Sequence, residues 1–289
     1  MRARTPGRHR AAEVGENFSG SFTALGQLAF SGAQVSANAI DLGSGATLLS
    51  ADDRIVLPTA GLGRILLLIE VSARITERDH TGLGILDKTE ENAARGPGLW
   101  QYLQAPALPA VDLATLIGAT SDNLAVNTLL ARVGLDAVRT RAESLGLKHT
   151  AMLDRVRDRR GPDDAPHVSV GSTAELTGLF AALARDEVVD APTSRRVLGW
   201  LSLGYDLSGV ASAFGLDPLA HRSAEAGIQL INATGTTSGV RSEAGLLYGP
   251  KSAAAYAVTV TYDESGIADR LRVIDALRRL GYDLLEHVS

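Results

Sequence analysis

Along QVSANAID (Gln34–Asp41), Val35, Ala37 and Ala39 alternate with Ser36, Asn38 and Ile40. That period of two belongs to a half-buried strand. Gly43-Ser44-Gly45 supplies a turn, and Ala46 to Ser50 forms a returning strand, so the segment is expected to be a hairpin. From Arg64 the spacing becomes helical, with Ile65, Leu68, Ile69 and Ser72 on one face. Asp112–Gly118, Ser121–Val133, Leu135–Leu145, Ser172–Arg185 and Thr193–Leu203 continue that helical pattern. Strands return at Ile228–Thr234, Ser242–Tyr248 and Ala254–Tyr262, separated by glycine-containing turns, and Ile267, Leu271, Ile274 and Leu277 mark a C-terminal amphipathic helix.

This order of strands, helices, strands and helix predicts an α+β fold. Both chain ends are expected to build one antiparallel sheet flanked by helices, with an all-helical lobe inserted between them. Residues 21–60 and 222–289 are assigned to the sheet lobe and residues 61–221 to the helical lobe of one domain. Residues 1–20 are assigned to a basic, disordered tail. No repeat, low-complexity tract or clean linker interrupts the chain.

Composition narrows the chemistry. At 289 residues the chain can bury a substantial core, and with 4% aromatics that core must rest on aliphatic and alanine packing. A net charge of −5 argues against nonspecific nucleic-acid binding. The absence of cysteine excludes disulfides, thiol catalysis and thiolate metal sites. The basic start MRARTPGRHR is not followed by an apolar stretch, and the most apolar run, Ile65–Ile69, is too short to span a membrane. A cytoplasmic protein with no membrane partner and no cofactor is expected.

Candidate chemistry begins at LPTAGLGRILLLIE (Leu57–Glu70), where polar turn residues run into a helix. Many hydrolases carry a nucleophile at a strand-to-helix junction, yet this turn has no Ser, Cys or Lys, and Thr59 stands before it. Gly61-Leu62-Gly63 lacks the G-K-[ST] ending of a phosphate loop, and no G-x-S-x-G elbow occurs. Asp163, Asp164 and His167 have no recognised metal-ligand spacing and are assigned to a loop. His80, His149, His221 and His287 stand singly and support no triad.

Three positions in order suggest more. Thr120–Leu130 (TSDNLAVNTLL) places Ser-Asp-Asn at a helix start, 60 residues after Gly61, and Ala233-Thr234-Gly235 ends a strand further on. Arg64 stands where a lysine would complete S-x-x-K with a serine at 61, and Ala233 where a K-T-G motif would open. In this order and spacing, from about Ser31 to the C-terminus, the chain resembles the class A β-lactamases and penicillin-binding proteins. LDRVRDRR resembles the start of that family's Ω-loop, and INATGTTSGVRSEAGLLYGP its third-motif strand and the facing strand.

The resemblance implies a vacated catalytic site. The family's nucleophilic serine corresponds to Gly61, its activating lysine to Arg64 and its third-motif lysine to Ala233. Arg155 matches the arginine that opens the Ω-loop, which puts Arg157 at the position of the water-positioning glutamate. Ser169 falls near the loop's partner aspartate, so the ion pair that closes the loop is expected to be missing. Arginine stays protonated near neutrality and cannot replace the lysine as a base.

What the resemblance leaves is a cleft. Ser121 and Asn123 keep the second motif, and the backbone N–H groups of Gly61 and Thr236 match the family's oxyanion-hole donors. Thr234, beside Gly235, offers a hydroxyl, as does Ser238. Arg241 on the facing strand is expected to meet a carboxylate. The three charged family positions sum to +1, whereas Arg64, Arg157 and Ala233 sum to +2. The expected function is therefore a non-catalytic binder of a small ligand, anionic or β-lactam-like, through Gly61, Arg64, Ser121, Asn123, Thr234, Gly235, Thr236 and Arg241. Two alternatives stay open: a divergent hydrolase using Ser121 or a bound water, and a purely structural or interaction protein. Simpler roles stay open too: Ser121-Asp122-Asn123 as a helix cap, Arg64 as a slot-filler paired with an acid or carbonyl, and Arg157 as a solvated loop charge.

Overall fold

A computed structural model describes residues 13–77, 83–222 and 227–289. In chain order its elements begin β1 (Glu13–Val14), α1 (Ser19–Phe30), β2 (Gln34–Asp41), β3 (Thr47–Ala51), β4 (Leu57–Pro58) and α2 (Arg64–Thr76). The middle adds β5 (Ile85–Asp87), β6 (Ala107–Pro109), α3 (Ala110–Thr120), α4 (Asn123–Val133), α5 (Leu135–Ser144), β7 (Ala151–Met152) and β8 (Ser169–Gly171). Then follow α6 (Thr173–Ala184), α7 (Ala191–Leu201), β9 (Gln229–Thr237), β10 (Val240–Tyr248), β11 (Ala253–Thr261) and α8 (Ile267–Val288).

The main sheet has the order β1-β3-β2-β11-β10-β9 and is antiparallel throughout. Both chain ends supply it, as the hydrophobic pattern predicts. Side chains alternate across it, so each face has its own core. Tyr256, Val258 and Val260 pack with Leu277, Leu280 and Leu284 of α8 on one side. Ala244, Leu246 and Ala257 join the helical-lobe core on the other.

Four sequence expectations change. Helix α1 was not predicted, because SGSFTALGQLAF carries a weak apolar stripe. It is fastened instead to α8, where Ser21 N and Oγ donate to the buried Asp283 carboxylate at 2.8 and 2.6 Å. Helix α2 does not bury one face only: every residue from Ile65 to Ala73 is buried, because α3, α4, α5 and α7 surround it. The tail assignment stops short of residue 20. Residues 1–12 lie outside the described residues, as does His80, but Glu13–Val14 pairs with β3 and Phe18 is buried. Finally, Leu207, Val210, Ala211 and Phe214 pack with the sheet-side core beneath α8 rather than with the helical lobe.

Candidate functional site

The turn between β4 and α2 is held by hydroxyls. Ser169 Oγ in β8 donates to the Ala60 carbonyl at 2.8 Å, receives the Gly63 N–H at 3.2 Å and lies 2.8 Å from Thr59 Oγ1. Ala60 is left-handed, with φ of 49°. Strand β9 presses against this turn: a Cβ at Gly235 would collide with the Thr59 carbonyl and lie 3.0 Å from Gly61 N. Only glycine allows that approach. The sequence at 59–63 and Gly235 therefore meet through backbone.

Arg64 opens α2 and folds back over the turn. Its Nε donates to the Gly61 carbonyl at 2.5 Å. A Cβ at residue 61 would overlap its guanidinium, so the cation fills the space that a side chain at 61 would need. Nη1 is buried and has no hydrogen-bond partner among the described residues. Burial pushes the guanidinium down to about 10, opposed by the Asp206 carboxylate, so it remains a cation at neutral pH. The expected pairing of Arg64 with a carbonyl or acid is thus what the geometry contains.

Arg64, Ser121, Asp206 and Thr234 line a space of about 20 Å³, room for about one water. Thr234 Oγ1 donates to Asp206 at 2.7 Å. Ser121 does not begin a helix. It ends α3 in the left-handed region, with φ of 58°, and its hydroxyl makes no hydrogen bond among the described residues. Asp122 caps α4 instead, accepting from Ala125 N at 3.0 Å and from Trp100 N at 2.8 Å.

Beyond the turn opens a cavity of about 470 Å³, within the ~300–1,000 Å³ usual for ligand pockets. Gly61, Arg64, Asn123 and Thr236 line it, together with Arg95, Arg157, Arg160 and His167. Asn123 Nδ2 donates to the Arg95 carbonyl at 2.6 Å, fixing the rim at residues 95–97.

The 153–168 loop forms another wall, and it carries ion pairs of its own. Asp154 accepts from Arg157 Nε at 2.8 Å and from Arg160 Nη1 at 2.6 Å. Arg157 Nε also lies 3.1 Å from Asp164. Desolvation raises the Asp154 carboxyl, but the hydrogen bonds from Arg157 and Arg160 outweigh it and hold it below its ordinary value. Arg157 is thus paired and cavity-lining, not a solvated charge. The pair expected to be missing is missing: Arg155 donates to the Glu91 carbonyl at 3.0 Å and Ser169 engages the turn, and the Asp154 cluster closes the loop instead. Asp164 serves that cluster, and among the described residues no group of His, Asp and Glu is arranged to hold a metal. Desolvation, then Arg160, lowers His167, which favours its neutral form.

Arg241 is misplaced by the sequence reading. Val240 lines the cavity, so alternation turns Arg241 to the opposite face of β10. There its Nη1 donates to the Thr237 and Val240 carbonyls at 2.7 and 2.8 Å, and Nη2 lies 3.9 Å from Glu264. The same face carries Glu243, buried behind the cleft. It accepts from Asn232 Nδ2, Tyr256 Oη and the Val210 N–H at 3.0, 2.8 and 2.7 Å. Burial nevertheless pushes its carboxyl up to about 7. Asp206, Arg95 and Arg160 were missed because no spacing or motif marks them. Arg160 alone had a signal, the basic run DRVRDRR.

The chain belongs to the β-lactamase enzyme family, whose model matches residues 21–288. Among curated proteins, none matches it. Its fold is similar to that of a β-lactamase from Sphaerobacter thermophilus, with a TM-score of 0.80 at 21% identity over 94% of this chain and 97% of that one. It is also similar to PBP-A, with a TM-score of 0.75 at 18% identity over 92% of this chain and 96% of that one. One structure of a PBP-A mutant is an acyl-enzyme complex with penicillin G. A third likeness is to a variant of the last common ancestor of Gram-negative class A β-lactamases, with a TM-score of 0.76 at 19% identity over 94% of this chain and all of that one. No helix among the described residues is long and apolar enough to cross a membrane.

Proposed function

We propose that this β-lactamase-fold protein binds a small anionic molecule and does not hydrolyse it. One observation carries the reading: the Arg64 guanidinium fills the place of any side chain at residue 61. A serine nucleophile needs that space and an adjacent base, and a buried arginine that titrates near 10 supplies neither. Loss of the nucleophile alone costs a hydrolase of this kind on the order of 10⁶ in turnover. The cavity stays open, and its lining is rich in arginine.

The test is nitrocefin hydrolysis together with intact-protein mass after incubation with penicillin. Hydrolysis equal to buffer and an unchanged mass are expected. A second reading, hydrolysis through Ser121, draws on its unpartnered hydroxyl and left-handed backbone. Turnover that survives purification and disappears in Ser121→Ala would establish that reading and overturn the first.

A further inference from the structure

We infer that the ligand is a small aliphatic dianion, with one acid group held by Arg64 beside Gly61 and the other by Arg157. This deepens the proposed binding role and rests on it. No aspartate or glutamate lines the cavity, whereas arginines reach it from α2, from the 95–97 rim and from the 153–168 loop. The carboxylates that neutralise the loop arginines, Asp154 and Asp164, do not line it. They engage Arg157 through Nε, and neither terminal nitrogen of that guanidinium makes a hydrogen bond among the described residues. Arg64 Nη1 is sealed inside, but Nη2, which lies over Gly61, makes no hydrogen bond among the described residues and is not buried.

Two guanidinium groups on different elements of the cavity lining thus keep terminal nitrogens without a protein partner among the described residues. A planar carboxylate is the group a guanidinium meets best. The Arg157 anchor stands on the loop, a different element from the turn and its backbone donors. A ligand with one acid group leaves one guanidinium unsatisfied; a ligand with two satisfies both. Val126, Met152, Val156, Val168 and Val240 give the cavity its apolar surface. No Phe, Tyr or Trp lines it, so an aryl or nucleobase spacer has only the His167 ring and guanidinium faces to stack on, whereas an aliphatic spacer meets the Val and Met side chains.

Titration calorimetry with malonate, succinate, glutarate and adipate, each against the monocarboxylate of equal length, tests this. One dicarboxylate is expected to bind about tenfold or more tightly than its matched monocarboxylate. Arg157→Gln should abolish that preference and leave monocarboxylate affinity intact, while Arg157→Lys should restore part of it. Arg64→Gln should weaken both classes. Equal affinity for mono- and dicarboxylates, or an undiminished preference in Arg157→Gln, would overturn the two-anchor inference and leave the binding role standing. A folded protein that binds none of these probes would overturn the dianion assignment and remove the support for the anion-binding role. Slow penicillin labelling in that same sample would show separately that the non-hydrolytic reading is wrong.

Discussion

On the sheet side of the cavity, backbone contacts and buried hydroxyls place the turn at residues 59–63; on the loop side, guanidinium–carboxylate pairs place residues 153–168. Ser169 and Gly235 position the turn without using a formal charge. Asp154, Arg157, Arg160 and Asp164 tie the loop together by charge, beside the neutral bonds that Asn127 exchanges with the Val156 N–H and carbonyl at 2.9 Å each. The sheet wall keeps its shape whatever side chain chemistry is lost from the cleft, because its geometry comes from hydroxyl bonds and close backbone packing. The loop wall loses part of what holds it when its carboxylates lose their charge. The two should therefore answer differently to mutation and to pH.

The largest effect is expected from rebuilding chemistry on the sheet wall. Gly61→Ser alone should give no penicillin adduct, because the new side chain overlaps the Arg64 guanidinium and faces a cation. Adding Arg64→Lys shortens the cation and supplies a group whose pKa can fall on desolvation. The double variant should then acylate and accumulate an adduct visible by intact-protein mass spectrometry. Deacylation should be slow, with Arg157 unable to act as a base. Adding Arg157→Glu should speed decay of the adduct. No adduct in a folded double variant would mean that the turn and β9 do not form a working oxyanion site.

Next comes the pH response behind the sheet wall. Glu243 titrates near 7 in the folded chain against an ordinary 4.5, so its stabilising contribution is full below about 4.5 and is lost as pH rises through about 7. The difference corresponds to roughly 3 kcal/mol. Denaturant unfolding between pH 5 and 8 should show that decline, and Glu243→Gln should flatten it. A curve of unchanged slope in the variant would mean that Glu243 is ionised throughout.

The smallest global effect is expected at the loop, and with the opposite sign. Asp154 is held below its ordinary 3.8, so its contribution is present above that value and is lost as pH falls through the folded one. Hydrogen-exchange protection at residues 153–168, measured against the intrinsic rate at each pH, should fall in acid while the sheet stays protected, and Asp154→Asn should reproduce this at pH 7. Uniform exchange across both walls would erase the contrast.

The fold was legible wherever hydrophobic periodicity was strong, as in β2, β9–β11 and α8. It was illegible at α1, where Ser21 and Asp283 do the work of an apolar stripe across 262 residues. At the site, the turn, Arg64 and Asn123 could be read from order and spacing. Arg241 could not, since a one-residue choice of strand phase decides which face it takes. Arg157 was read as solvated because its partners follow from how the loop doubles back, and Asp206 from a loop with no motif at all.

Helix α2 is enclosed on every side from Ile65 to Ala73, and Arg64 is its first residue. The guanidinium is carried on a rod that has no room to shift or tilt, and its Nε is tethered to the turn. A ligand would meet a donor already oriented and partly stripped of water, so little ordering entropy remains to be lost at that end when it binds. Selectivity at the Arg64 end should accordingly be a matter of shape. Adjustment to ligands of different length falls to the loop wall, where the Arg157 terminal nitrogens carry no hydrogen bond among the described residues.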